Sequence, residues 1–261
     1  MWLKKISIAD ILTLCNGICG VSAIMALFIY KKDITLATSL IIIAIIFDGA
    51  DGAVARYLGT KHPYGRVLDS ISDSISFCLA PALLLIIVYF SPSNTFTLNF
   101  LTIISAIAVL SMGIWRLIKF TKIGYKYVTF AGLPTPAMAL LTVTLTHLYF
   151  HQPLIVFPII IAASLLMISK IKYPKIRGRL AVVFGIFVLL FMFVIFTQNL
   201  YVLSSDLDFR SYLYKVGLLT SVALLLFYIL GGPLIVSFPK KKKTMQGLVS
   251  RGLGRLRRRK S

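Results

Sequence analysis

Long apolar runs, separated by short polar connections, dominate this chain. Eight of them are candidates to cross a bilayer: 11–30, 35–58, 65–90, 100–115, 136–150, 154–168, 180–198 and 213–238. About 20 residues of helix, at 1.5 Å of rise each, span the hydrocarbon, and apolar stretches approaching that length read as transmembrane helices. The mean hydropathy of +0.90 agrees. The expectation is an all-α, multi-pass membrane protein in which no connection before the C-terminal tail is long enough to fold as a soluble domain. The first run is long and has no plausible cleavage site, so a cleaved signal peptide is not expected.

Charge sets the expected orientation. The chain carries 28 Lys and Arg against eight acidic residues, a net charge of +20. All of the cations except Lys31, Lys32, Arg210 and Lys215 fall in alternate connections and at the two ends. Cytoplasmic segments of membrane proteins hold the Lys/Arg excess. Both ends are therefore expected in the cytoplasm, as eight spans require, and the cell membrane is the expected location. The reading divides the chain into an interfacial N-terminal helix (1–10, with Trp2, Lys4 and Lys5), a six-helix core (11–174), two further spans (175–238) and a basic tail (239–261). In the tail, Met245, Leu248, Val249, Leu253 and Leu256 follow helical spacing, which suits a helix lying on an anionic leaflet. The alternative is a solvated tail; nucleic acid is not an expected partner, because no tail aromatic could stack on a base. Cys15, Cys19 and Cys78 all fall in runs and suggest neither disulfides nor zinc, and His147 and His151 flank an outer turn.

The eight acidic residues are all Asp, and four of them sit in FDGADGAVARYLGTKHPYGRVLDSISDSISF at 47–77. A charge inside a span costs at least about 2.5 kcal/mol on the insertion scale, so it needs a partner or a wet cavity. Asp48, Asp51 and Gly52 lie at i, i+3 and i+4, on one side of the second helix. Gly65, Asp69 and Asp73 recur every four residues along the third. Both sets lie near the loop holding Lys61 and Arg66, so two packed helices would converge four carboxylates at a cytoplasmic mouth. Oxygen-preferring divalent ions, Mg²⁺ or Mn²⁺, are the expected neutraliser, and two such ions sharing carboxylates suit phosphoryl transfer. Gly52 leaves room for close approach, and Arg56, one turn on, suits a phosphate fork. A cation channel or transporter is the competing class; it would distribute its acidic residues through the membrane depth.

Asp48-x-x-Asp51-Gly52-x-x-Ala55-Arg56, eight residues, then Gly65-x-x-x-Asp69-x-x-x-Asp73 resembles the signature of the CDP-alcohol phosphotransferases at every fixed position. The resemblance runs over about 11–174 and implies that family's six-helix core. Within it, the phosphatidylserine synthases and their archaeal ether-lipid counterparts are most similar. Asp69–Phe77 with Ala80-Pro81-Ala82, Ala131–Ala137, Leu166–Ser169 with Tyr173-Pro174, and Thr13-x-x-Asn16-x-x-x-Gly20 resemble further stretches in the expected order.

What this resemblance implies is transfer from a CDP-lipid, CDP-diacylglycerol or CDP-archaeol, to L-serine with release of CMP. It also implies a homodimer. Asp48, Asp51 and Asp69 would hold the metals with an oxygen from Asp73, which is also the candidate general base. CDP-lipid would meet Gly52, Ala55, Arg56, His62, Gly65, Thr13 and Asn16. Relatives often carry Ser or Thr where His62 stands, so Thr60 is the alternative there; Thr13 and Asn16 are equally readable as helix-packing polar residues. Serine's carboxylate needs a cation, for which Arg116 and Lys119 are candidates; ordinary cytoplasmic-side charge is the other reading of both. Direct displacement is expected, since nothing near Ser72 would activate it as a nucleophile. Inositol phosphate and glycerol phosphate are the rival acceptors, and their phosphate would call for additional basic residues.

Overall fold

The computed structural model describes residues 7–29, 33–59, 63–123 and 129–174, and from the last run 216–220, 222–223, 225–231 and 233. The expected seventh span, the basic tail, Thr60 and His62 lie outside the described residues.

Helix α1 (Ile8–Phe28) starts where Ser7 and Asp10 form a capping box. The Ser7 backbone N–H donates to Asp10 Oδ2 at 2.8 Å, satisfying a donor that the helix itself leaves unpaired. Residues 8–10 therefore belong to α1. Helix α2 (Ile34–Leu58) starts under Asp33, whose Oδ1 accepts from the Leu36 N–H at 2.8 Å, and stops at Gly59 in the left-handed region. The third crossing is composite: α3 (Pro63–Asp73), a π-helical segment Ser74–Leu79, then α4 (Ala80–Tyr89). Helices α5 (Phe96–Ile123), α6 (Thr135–Leu148) and α7 (Pro153–Ile168) follow. Ile8–Phe28, Ile34–Leu58, Tyr64–Tyr89 and Phe96–Thr121 are long and apolar enough to cross a membrane; α6 and α7 are apolar but shorter. The fourth helix extends beyond both ends of the run at 100–115.

Helices α1 and α2 pack side by side, with the third crossing against α1 and α5 against both α4 and α7. Ile41, Ile42, Phe77, Leu84, Leu85, Met138 and Leu140 fill the shared core without exposure. Lipid is as apolar as leucine, so helices in a membrane gain by close backbone approach at small residues. That happens along α1: a Cβ on Gly17 would stand 2.9 Å from Ser72 Oγ, and one on Gly20 would collide with the Ser76 side chain and backbone.

Two short strands depart from the all-helical expectation. β1 (Thr129–Ala131) pairs antiparallel with β2 (Lys172–Pro174), Phe130 opposite Tyr173. The ribbon ties the α5–α6 connection to the end of α7. Gly132 completes it: its N–H donates to the Ile171 carbonyl at 2.8 Å, φ is 82°, and a Cβ would collide with the Met167 carbonyl oxygen. Gly132→Ala therefore meets both backbone strain and a backbone clash, a cost of about 2–3 kcal/mol. A thermal scan of the detergent-solubilised variant is expected to show a midpoint roughly 4–10 °C lower; an unchanged midpoint would contradict this role.

The described part of the last helical stretch docks on this core. Leu218, Leu225 and Ile229 are buried, Tyr173 Oη donates to the Ile229 carbonyl at 3.3 Å, and the Tyr173 and Tyr228 ring centroids lie 5.7 Å apart.

Candidate active site

Helical periodicity turns Asp48 and Asp51 of α2 toward Asp69 of α3. One carboxylate oxygen from each lies within 4.8 Å of the other two. Asp51 is 6% exposed, and Asp48 and Asp69 are half-buried. Three carboxylates this close repel strongly. A hard divalent ion with oxygen ligands at about 2.0–2.6 Å spans such a gap and removes the repulsion, so the donor set fits Mg²⁺ or Mn²⁺.

Helix α1 supplies the outer layer of the site. Thr13 Oγ1 lies 2.6 Å from Asp51 Oδ2 and 3.0 Å from the Ala9 carbonyl. A hydroxyl has one proton, and the shorter, charge-assisted bond to Asp51 takes it. Asn16 Nδ2 donates to Asp73 Oδ1 at 3.0 Å. Asp73, 7% exposed, thus stands beside the three-aspartate group, one turn along α3 from Asp69. Thr13 and Asn16 both touch the carboxylates, a more specific placement than generic helix packing.

The glycines fall into two roles. Gly52 lies under Arg56: a Cβ there would be 3.1 Å from Nη1, so the guanidinium reaches back over bare backbone, and Arg56 itself is exposed. Ala55, half-buried, lies on the same turn. Gly65 faces α1 instead, where a Cβ would stand 2.8 Å from Asp10 Oδ1, so it lets the starts of α1 and α3 meet.

Arg116 and Lys119 separate. Arg116 is 6% exposed; Nη1 donates to Thr135 Oγ1 at 3.2 Å and Cζ sits 4.7 Å from the Phe120 ring centroid. Asp73, Tyr228, Cys78 and Asp48 lie within electrostatic reach of the guanidinium. Burial beside a carboxylate distinguishes it from the solvated loop cations that orientation alone requires. Lys119, three residues on, is half-buried. The Ser72 side chain packs against Gly17 of α1. His147 bonds Thr38, with Nε2 and Oγ1 3.0 Å apart, at the end of α2 opposite Asp48 and Asp51.

Thr135 and Tyr173 fall in stretches that the family resemblance covers, without a role assigned to either; Tyr228 lies outside them. Thr135 carries a weak signal, as the first residue of α6 in a Gly-Leu-Pro-Thr-Pro turn. Tyr228 carries none, being a tyrosine in an apolar run 112 residues beyond Arg116.

Two helices that bring DxxDG and DxxxD carboxylates together beneath an arginine define a class. Residues 6–171 match the model of the CDP-alcohol phosphatidyltransferase family, and the chain belongs to that family. It is 42% identical over 177 residues to a CDP-diacylglycerol–serine O-phosphatidyltransferase of Methanocaldococcus jannaschii, covering 68% of this chain and 78% of that one. It is 35% identical over 178 residues to an archaetidylserine synthase of Methanothermobacter thermautotrophicus, with coverage of 66% and 72%. A CDP-diacylglycerol–serine O-phosphatidyltransferase of Bacillus subtilis is 34% identical over 170 residues, covering 65% of this chain and 91% of the relative.

Proposed function

We propose that this membrane enzyme transfers the phosphatidyl-type group of a CDP-lipid, CDP-diacylglycerol or CDP-archaeol, to the hydroxyl of L-serine, releasing CMP. The observation that carries the reading is the convergence of Asp48, Asp51 and Asp69, with Asp73 and buried Arg116 beside them. The relatives' names, for serine transferases in a bacterium and two archaea, support serine as the acceptor.

In this reading, Asp48, Asp51 and Asp69, with an oxygen from Asp73, would hold two Mg²⁺ or Mn²⁺ ions at the site that takes the diphosphate. Bound there, such ions neutralise charge on the diphosphate and stabilise the departing CMP. Gly52 and Ala55 leave space for the nucleotide, and Arg56 steadies its phosphates. Asp73 takes the serine hydroxyl proton as that oxygen bonds to the lipid-side phosphorus and the phosphorus–oxygen bond to CMP breaks. With Oδ1 held by Asn16, the other Asp73 oxygen is left to accept the proton. Arg116 receives the serine carboxylate, for which a buried planar fork is suited, with Lys119 as a second candidate cation. The packing of Ser72 against Gly17 supports direct displacement over a serine-linked intermediate. The Lys/Arg distribution supports a mouth that opens to the cytoplasm in a multi-pass protein of the cell membrane; the homodimer is proposed from the family resemblance alone.

The test is CMP release from CDP-lipid in detergent, comparing L-serine, inositol phosphate and glycerol phosphate under Mg²⁺ and Mn²⁺. Serine-dependent release is expected, with little from the two phosphates. Release with glycerol phosphate or inositol phosphate but not serine would overturn the acceptor assignment.

A further inference from the structure

We infer that Asn16 of α1 is a positioning residue for Asp73, and that the π-helical segment after Asp73 is held by the same residue. The inference rests on the reading of Asp73 as general base. Asn16 is fully buried, with no exposure at all. Its Nδ2 donates to Asp73 Oδ1 at 3.0 Å, while its backbone carbonyl accepts from Ser76 Oγ at 2.9 Å. The two contacts fall three residues apart on the third crossing, one before the π segment and one within it.

The amide's orientation follows from its partner. The NH₂ group faces Asp73, whose Oδ1 accepts from it. Asn16 Oδ1 then points elsewhere, buried and without a hydrogen-bond partner among the described residues. An orphaned buried acceptor destabilises a fold, and packing alone would be better served here by leucine. What the amide contributes is its donor to Asp73. One fixed oxygen stops the carboxyl group from rotating, so the other keeps one direction toward the incoming hydroxyl, and a base held in line loses little entropy when it reacts.

The π segment supplies the geometry. An i→i+5 turn inserts one residue and rotates everything before it relative to everything after, and such turns concentrate at functional sites. Here it sets the angle between α3, which carries both aspartates, and α4, which is buried in the core. Ser76 anchors the segment to the Asn16 carbonyl, and Gly20 permits that approach because any Cβ would collide with Ser76. Helix α1 thereby grips the distortion on both sides of its first turn.

The test uses the full-length protein in detergent with saturating Mg²⁺ and steady-state CMP release. Asn16→Leu is expected to lower kcat about 10–100-fold, as loss of a supporting contact does, with both substrate KM values within about threefold. Its thermal midpoint is expected to stay within a few degrees of the parent's, because loss of the unpartnered Asn16 Oδ1 is offset by Asp73 Oδ1 losing its donor. A kcat within about threefold of the parent would overturn the inference. So would a CDP-lipid KM raised about tenfold with kcat retained, which would make Asn16 a nucleotide contact. If Asn16→Leu does not purify folded, Ser76→Ala replaces it. It leaves the Asn16 and Asp73 side chains in place and is expected to lower kcat several-fold at unchanged KM; an unaltered kcat would overturn the inference. The same ratios are taken with whichever alcohol supports turnover, so the acceptor assignment and this inference fail separately.

Discussion

Asp73→Asn is expected to lower kcat by about 10²–10⁴-fold, the usual contribution of a general base, while CDP-lipid binding survives. The substitution is nearly isosteric, and the asparagine carbonyl can still accept from Asn16 Nδ2, so the contact between α1 and α3 remains. The proton acceptor is lost, because a neutral carboxamide is far too weak a base to take the hydroxyl proton. The three aspartates that form the close carboxylate group are untouched. Turnover and nucleotide binding, measured separately, distinguish this from general damage: a base variant loses the first and keeps the second. Retained turnover would remove Asp73 from proton transfer. Loss of both would place its main role in holding metal or substrate.

The second large effect concerns the metals. Asp51→Asn and Asp69→Asn each remove one of three carboxylates whose oxygens lie within 4.8 Å. Neutralising one ligand both weakens the ion's binding and eases the repulsion that makes the site want an ion, so folding should survive while activity does not. Each variant is expected to lose at least about 10³-fold in turnover, a few kcal/mol of transition-state stabilisation. For Asp51→Asn, the Thr13 hydroxyl still finds an oxygen to donate to, which keeps α1 in register. Chelation of the parent protein is expected to abolish turnover reversibly, with Mg²⁺ or Mn²⁺ restoring it. A variant that melts far below the parent would instead assign the lost residue a structural role.

Much of this site is legible in the amino-acid sequence, because it is written in helical periodicity. Asp48 and Asp51 share a face at i, i+3 and Asp69 and Asp73 at i, i+4, so two packed helices could hardly avoid bringing carboxylates together. The same periodicity places Thr13, Asn16 and Gly20 on one face of α1, but which carboxylate each meets depends on how α1 is rotated against its neighbours. That is a tertiary fact, and Thr13 meeting Asp51 while Asn16 meets Asp73 emerges only in the packed bundle. The π segment Ser74–Leu79 reads as an ordinary apolar helix, since one extra residue per turn leaves no compositional trace. The β1–β2 ribbon is three residues per strand, too short for alternation to show, and its partners are some forty residues apart. Arg116 and Lys119 look alike in sequence; burial against Thr135 and Phe120 separates them.

Whether α2 and α3 share their cations is tested most directly by Mn²⁺ binding, measured by electron paramagnetic resonance on the detergent-solubilised protein. The parent is expected to bind about two Mn²⁺ per chain in the presence of CDP-lipid, with Asp51→Asn on one helix and Asp69→Asn on the other each losing bound Mn²⁺. Undiminished Mn²⁺ binding in both variants would contradict the sharing.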